Sequence, residues 1–126
     1  MARILIAEDE EAIRNLVARA LTLDGHQVMT AHDGAEALDL LTREHGAFEL
    51  LLTDIRMPIM DGIALALAAA RDHPRLTILL MTGYADQRER ASGIEALIHD
   101  VVTKPFSIAV IRDAVNGALA DTRARH

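Results

Sequence analysis

Several residue types are scarce in this chain of 126 residues, which has no cysteine, no tryptophan, one tyrosine and two phenylalanines. Without cysteine, disulfides, thiolate metal sites and thiol catalysis are excluded. Basic residues are outnumbered 13 to 19 by acidic ones, and the resulting net charge of −6 disfavours direct binding to nucleic acid. No apolar run reaches the length of a membrane span or a signal peptide. We therefore expect one soluble domain in the cytoplasm, with no membrane contact.

What the chain does have is a regular alternation of two patterns. Short apolar segments typical of strands alternate with segments in which apolar residues recur at helical spacing. The strands are predicted at residues 3–7, 27–31, 50–53, 77–81 and 101–103, and the helices near residues 13–21, 35–44, 62–73, 86–97 and 108–119. The fourth helix is polar nearly all round, so we expect it to be short or mobile. Five strand–helix repeats predict an α/β fold, a doubly wound parallel sheet with helices on both faces.

Polar side chains stand at the ends of four of these strands. Glu8 and Asp9 follow the first strand, Asp54 the third, Thr82 the fourth and Lys104 the fifth. The second strand, ending near residues 32–33, adds no obvious functional group. Because the carboxyl ends of parallel strands share one edge of the sheet, we expect three acids, a hydroxyl and an ammonium to converge there.

Each of these side chains also has an ordinary structural explanation. Glu8 and Asp9 precede a helix, where acids are favoured by capping and the helix dipole. Asp54 could simply begin a turn, Thr82 could belong to a turn before a glycine, and Lys104 could be a surface lysine. The combination on four separate strands carries more weight than any one residue.

Electrostatics indicates what such a set could bind. Two carboxylates about 4 Å apart repel by roughly 4 kcal/mol at an effective dielectric near 20, so a shared acidic pocket needs a compensating cation. Oxygen ligands without cysteine or clustered histidine favour Mg²⁺, with Mn²⁺ as a possible substitute. A carboxylate such as Asp54 can also act as a nucleophile toward a phosphoryl group. The Met-Pro turn that follows is expected to keep this carboxylate exposed.

Taken together, the segments "AEDE", "LLTDIRMPIMDG", "MTGY" and "VVTKPF" closely resemble the receiver domain of bacterial two-component response regulators, the CheY-like family. The resemblance covers essentially the whole chain and implies a flavodoxin-like sheet of order 2-1-3-4-5. It implies that residues 1–122 form the receiver domain, followed by a short tail at 123–126. Among single-domain members, the chain also resembles the alphaproteobacterial CpdR-type regulators.

The resemblance also assigns roles to individual residues. Asp54 would be the phosphoacceptor, and Asp9, Asp54 and the main-chain carbonyl of Arg56 would bind Mg²⁺ directly, with Glu8 acting through a water. Thr82 and Lys104 would contact the phosphoryl group. The Lys104–Pro105 peptide would be cis, which only X–Pro bonds adopt at small cost. The donor would be a sensor histidine kinase or a phosphotransfer protein, and the output an unidentified protein target bound through the fourth helix, fifth strand and fifth helix.

The chain departs from the family's usual pattern at one switch position. Val101 stands where most members carry an aromatic residue, so rotation of a ring at that site is unavailable. Tyr84, two residues after Thr82, is the next candidate for a modulating residue, although a loop tyrosine also packs for purely structural reasons. Arg56 could shield or polarise the phosphoryl group, or could simply be a solvated loop arginine.

Three functions compete at this stage. The first is a phosphorylation-activated regulator that switches protein contacts, or a phosphorelay shuttle that passes the phosphoryl group onward, without enzymatic activity beyond self-catalysed transfer and hydrolysis. The second is a Mg²⁺-dependent phosphatase with an aspartyl intermediate, which would want an acid where Arg56 stands and a cap over the site. The third is a nucleotide or flavin binder, which would want a glycine-rich loop where "AEDEEA" stands.

Overall fold

The fold is built on five parallel strands with helices on both faces of the sheet. The structure, a computed structural model, describes residues 2–83 and 85–125. The strands lie in the order β2-β1-β3-β4-β5 and every neighbouring pair is parallel. Their bounds are β1 Arg3–Ala7, β2 Gln27–Ala31, β3 Leu50–Asp54, β4 Thr77–Thr82 and β5 Asp100–Thr103. The predicted α/β fold class and strand order are thus confirmed.

Five α-helices connect and follow the strands. They are α1 Glu11–Leu23, α2 Gly34–Arg43, α3 Gly62–Asp72, α4 Ala85–Ser92 and α5 Ile108–Arg125, with a 3₁₀ turn at Glu95–Leu97. The weakly patterned segment predicted at residues 86–97 is therefore two pieces, a helix of eight residues and a separate turn. Within the described ranges, no helix is both long enough and apolar enough to cross a membrane.

The core has two layers, one on each face of the sheet. Leu5, Leu51 and Leu80 face a layer formed mainly with α2 and α3. Ile6 and Leu52 face the opposite layer, which is formed mainly with α1 and α5. Successive residues of a strand point to opposite faces, so β1 and β3 must be apolar throughout to fill both layers. The edge strands β2 and β5 are partly exposed and carry polar residues.

Local signals fix where the helices begin and end. Gly25 and Gly46 have positive φ angles of 93° and 67° just after α1 and α2, a conformation that glycine adopts without steric cost. Asp33 accepts a hydrogen bond of 2.8 Å from the backbone N–H of Glu36 and caps α2. The end of the second strand thus has a helix-capping role that the sequence analysis did not assign.

Candidate functional site

Three acidic side chains meet at the carboxyl edge of the sheet. Glu8 and Asp9 lie in the loop after β1, and Asp54 is the last residue of β3 rather than the residue after it. One carboxylate oxygen from each lies within 4.8 Å of the others, so the three could share a cation. The predicted convergence of the acids is therefore present in the structure.

The acids differ in burial. Glu8 is 0% and Asp54 5% exposed, whereas Asp9 is exposed. The expectation that the Met-Pro turn keeps the Asp54 carboxylate exposed is wrong, because the residue is almost fully buried at the end of its strand. Access runs through an open cavity of about 510 Å³, which Asp54 lines together with Asp9, Arg56, Gly83 and Lys104.

Lys104 connects the two buried acids. Its ammonium lies 2.6 Å from a carboxylate oxygen of Glu8 and 3.3 Å from one of Asp54. It follows β5 and is anchored by its backbone N–H, which donates to the Thr82 carbonyl at 2.7 Å. The Lys104–Pro105 peptide is cis, as expected from the resemblance. One ammonium among three carboxylates compensates only part of the charge at this edge.

The protonation of these groups reflects that balance. Burial raises the pKa of Glu8 to about 7, with the hydrogen bonds from Lys104 and the Glu10 N–H opposing the rise. Burial also raises the pKa of Asp54, and the positive charge of Lys104 opposes it. The pKa of Lys104 is raised because, although burial lowers it, the bond to Glu8 and the charge of Asp54 outweigh that effect. Both buried carboxyls therefore gain from a further cation.

Thr82 is the last residue of β4 rather than the residue after it. In the β3–β4 register Asp54 lies opposite Met81, whose carbonyl accepts from the Ile55 N–H at 3.1 Å. Thr82 is the next residue along the neighbouring strand and is 1% exposed. Thr82 is thus held at the carboxyl end of the sheet, on the strand next to that of Asp54, rather than in a free loop.

Arg14 is a site-supporting residue that the sequence analysis missed. From the first turns of α1, its guanidinium donates a hydrogen bond of 3.0 Å to the main-chain carbonyl of Glu8. The Glu10 N–H also donates to the Glu8 carboxylate at 3.1 Å. Together these bonds fix the loop that carries Glu8 and Asp9. Arg14 stands six residues after Glu8 on a predicted helix, and this spacing does not by itself indicate a contact between the two residues.

The loop after β3 is held by close backbone approaches. The Gly62 N–H donates to the Ile55 carbonyl at 2.7 Å, and a β-carbon at Gly62 would lie 2.0 Å from the Asp54 carbonyl oxygen. Asp61 caps α3 through the Ala64 N–H at 2.9 Å and pairs with Arg90 of α4. The sequence indicated that Gly62 opens a helix, but not that its missing side chain is needed beside Asp54.

Arg56 and Val101, two of the positions expected to modulate the site, lie within the described residues. Val101 is half-buried in β5 and packs against the core layer of α2 and α3. Arg56 is exposed at the cavity. Tyr84 lies outside the described residues, so its predicted role is not addressed by the structure. The roles of Arg56 and Val101 remain predictions.

Comparisons with known proteins bear on the family. The model of the response regulator receiver domain matches residues 4–116. The response regulator MprA of Mycobacterium avium is 31% identical over 121 residues, which are 96% of this chain and 52% of that protein. The chain thus spans about half the length of the curated relatives it matches.

The chain is also similar to solved structures of response regulators. A CheY-like receiver domain protein from Methanospirillum hungatei superposes with a TM-score of 0.91 at 26% identity, covering 100% of this chain and 99% of that one. The response regulator TrrA of Thermotoga maritima, solved in complex with Mg²⁺ and BeF, is 30% identical with a TM-score of 0.81, covering 94% of this chain and 99% of that one.

Proposed function

The chain belongs to the response regulator receiver domain family, and from this premise we propose that it accepts a phosphoryl group on Asp54 with the help of Mg²⁺. The donor is the phosphohistidine of a sensor kinase or of a phosphotransfer protein. The observation that supports the proposal is the cluster of Glu8, Asp9 and Asp54, whose carboxylate oxygens lie within 4.8 Å of one another beside the Lys104 ammonium.

The donor set fits Mg²⁺. It consists of hard carboxylate oxygens, carries more negative charge than Lys104 can offset, and opens to solvent through Asp9. Asp9, Asp54 and the Arg56 carbonyl would hold the ion directly and Glu8 through a water. When bound, Mg²⁺ would neutralise carboxylate and phosphoryl charge. TrrA, which is 30% identical, was solved with Mg²⁺ and BeF.

In the proposed reaction an Asp54 carboxylate oxygen attacks the phosphorus atom in line with the leaving nitrogen. The new O–P bond forms as the P–N bond of the donor breaks, and the electron pair of that bond remains on the imidazole. Lys104 would stabilise the phosphoryl oxygens with its ammonium, and Thr82 with its hydroxyl. Because burial raises the pKa of Asp54, its neighbouring cations also serve to keep the nucleophile ionised.

The phosphoryl group then acts as the signal. It brings about −1.5 to −2 charges at pH 7 and strong acceptor oxygens to the site, which would draw Thr82 inward and reorder nearby loops. Attack by water on the aspartyl phosphate resets the protein. We propose no enzymatic role beyond this self-catalysed transfer and hydrolysis, and a cytoplasmic location where kinases present their phosphohistidines. Onward transfer as a relay shuttle is the alternative; a phosphatase or a nucleotide binder is not favoured.

The output is proposed to be a protein contact through α4, β5 and α5, with no direct binding to nucleic acid or membrane. Arg56, Tyr84 and Val101 would modulate the lifetime of the phosphoryl group or its coupling to this face. Because MprA is about twice as long as this chain, nothing in that relative's further length is carried over.

The test is labelling of the purified protein with acetyl phosphate in the presence of Mg²⁺, followed by intact-mass measurement. The wild type should gain the mass of one phosphoryl group, mapped to Asp54, and EDTA should prevent the gain. Asp54→Asn should not be labelled, whereas Asp39→Asn, at an exposed acid on α2, should behave as wild type. Labelling at another residue, or none with Mg²⁺, would contradict the proposal.

A further inference from the structure

A second, smaller cavity lies between the end of α4, the 3₁₀ turn and β5, away from the acidic site. Its volume is about 210 Å³. Its apolar lining residues are the buried Ala91 and the half-buried Ile98 and Val101, which we call the floor. Ala91 is buried in the core layer of α2 and α3, and Ile98 and Val101 pack against that layer. The floor is therefore continuous with the interior of the domain.

The shape of this cavity is fixed by main-chain bonds. The Ile94 N–H donates to the Ala91 carbonyl at 3.0 Å, which turns the chain sharply after α4. The His99 N–H donates to the Ile78 carbonyl at 2.7 Å, which ties the start of β5 to β4. Val101 contributes a short, branched side chain to the floor. Because the walls are held by backbone, the cavity is largely preformed.

The rim of the cavity is acidic. Glu95 and Asp100 are both exposed and line it, together with Ser92 and the half-buried His99, whose imidazole lies 3.6 Å from the Asp121 carboxylate. Asp100 is oriented by its own strand, because its carboxylate accepts a hydrogen bond of 2.7 Å from the Val101 N–H. An apolar floor below two carboxylates complements an apolar group that is flanked by positive charges.

The size of the cavity limits what can fill it. Clefts that hold drug-sized ligands and cofactors measure roughly 300–1,000 Å³, so a cavity of about 210 Å³ holds one side chain. A buried aromatic side chain in such a position is the usual energetic centre of a protein interface. Nucleic acid would be repelled by the acidic rim.

We propose that this cavity receives an aromatic side chain, flanked by arginine or lysine, from the output partner. The proposal deepens the proposed function, on which it rests for the assignment of output to α4, β5 and α5. It adds the chemistry of the partner: a segment of the type basic–aromatic–basic, with the ring above Ala91 and the cations beside Glu95 and Asp100.

The experiment is a titration of the full, ¹⁵N-labelled chain with the capped tripeptide Arg-Phe-Arg, followed by amide chemical shifts. The largest changes are expected at Ala91, Ile98 and Val101. The capped peptides Glu-Phe-Glu and Arg-Ala-Arg should each bind about five- to tenfold more weakly. The first places negative charges beside the acidic rim, and the second lacks the aromatic ring. If Arg-Ala-Arg bound as tightly as Arg-Phe-Arg, binding would come from general charge attraction rather than from the ring, and the proposal would be overturned.

Two variants sharpen the test. Val101→Phe fills the cavity from the protein's own side and should abolish the shifts, whereas Val110→Phe places the same ring at a half-exposed position on α5 and should not. The double charge reversal Glu95→Lys and Asp100→Lys, at two exposed positions, should make Glu-Phe-Glu the preferred peptide. An unchanged preference in this variant would overturn the proposal even if Val101→Phe failed to fold.

Other outcomes also decide the matter. Shifts centred on the neighbouring cavity of about 560 Å³, lined by Leu76 and Leu97, would overturn the assignment. Concentration-dependent shifts at Ala91 and Val101 without peptide would identify a second copy of this chain as the occupant, and would likewise overturn it. The titration uses unphosphorylated protein in EDTA and so does not depend on phosphorylation of Asp54. If Asp54 is not labelled by acetyl phosphate, the result of the peptide titration still stands. The two proposals can therefore fail separately.

Discussion

At the scale of single residues, the chemistry depends on how two buried carboxylates are supported. Glu8 and Asp54 are buried, and removing a negative charge from water costs free energy. Both carboxylates contact the Lys104 ammonium. The main chain that carries them is held by two further residues, Arg14 at the Glu8 carbonyl and Gly62 against the Asp54 carbonyl. These two residues give the clearest tests at this scale.

Arg14→Met should weaken Mg²⁺ binding by about tenfold, which is typical when a group that orients a metal ligand is lost. The guanidinium holds the Glu8 carbonyl at 3.0 Å, so without it the loop carrying Glu8 and Asp9 is less well ordered. Calorimetric titration with MgCl₂ measures the effect. Arg19→Met, at an exposed arginine of the same helix, is the control and should leave the affinity unchanged.

Gly62→Ala should destabilise the fold by about 1–3 kcal/mol and slow labelling of Asp54, because the new β-carbon would lie 2.0 Å from the Asp54 carbonyl oxygen. Gly117→Ala in α5 is the matched substitution, since nothing lies within 4 Å of its β-carbon. It should stabilise the protein by about 0.5–1 kcal/mol through its better helix propensity. Urea unfolding compares the two, and equal effects would refute the steric argument.

At the scale of elements, α4 is tied to the loop that follows the phosphoacceptor strand. Asp61 both caps α3, through the Ala64 N–H, and pairs with Arg90 of α4. Burial disfavours its charged form, but the hydrogen bonds from Ala64 and Arg90 outweigh that effect and lower the pKa of Asp61. One carboxylate thus couples the position of α4 to the loop between Asp54 and α3.

Asp61→Ala should cost about 1 kcal/mol at pH 7 through loss of the cap, whereas Asp61→Asn keeps a capping side chain and should cost less. Because the pKa of Asp61 is lower folded than unfolded, its stabilisation is present above the unfolded value near 3.9 and is lost as pH falls through the folded value. The stability difference between the wild type and Asp61→Asn should therefore begin to shrink as the pH falls below about 4 and vanish below the folded pKa of Asp61. A pH-independent difference in urea unfolding would exclude the ion pair as its source.

At the scale of the whole molecule, the sheet brings three carboxylates together at one edge. A cation that binds there should therefore raise the free energy of unfolding. Mg²⁺ binding to the folded chain alone should stabilise it by about 2.7 kcal/mol at a concentration 100 times Kd. Thermal unfolding with MgCl₂ and with EDTA measures this gain. Asp54→Asn should reduce it and Asp39→Asn should not, because only Asp54 belongs to the acidic cluster. A gain of equal size in both variants would indicate general screening by salt.

The amino-acid pattern was sufficient to predict the order of the elements, the parallel sheet and the edge of the sheet that carries Glu8, Asp9, Asp54, Thr82 and Lys104. The hydrophobic period, the glycines that end helices and the end of each strand can all be read from neighbouring residues. Because the strands are parallel, their carboxyl ends then lie at one edge of the sheet. Even there, boundaries moved by a residue, so that Asp54 and Thr82 end their strands rather than follow them.

The contacts among those residues, in contrast, depend on the packed fold. The burial of Asp54, the contact between Lys104 and Glu8 across 96 residues of sequence, and the supports from Arg14 and Gly62 were not foreseen. The pairing of Arg90 with Asp61 and the cavity above Val101 likewise depend on how α4 packs. The physical reason is that a residue pattern encodes which face is apolar, whereas distances between distant side chains depend on how the completed layers pack.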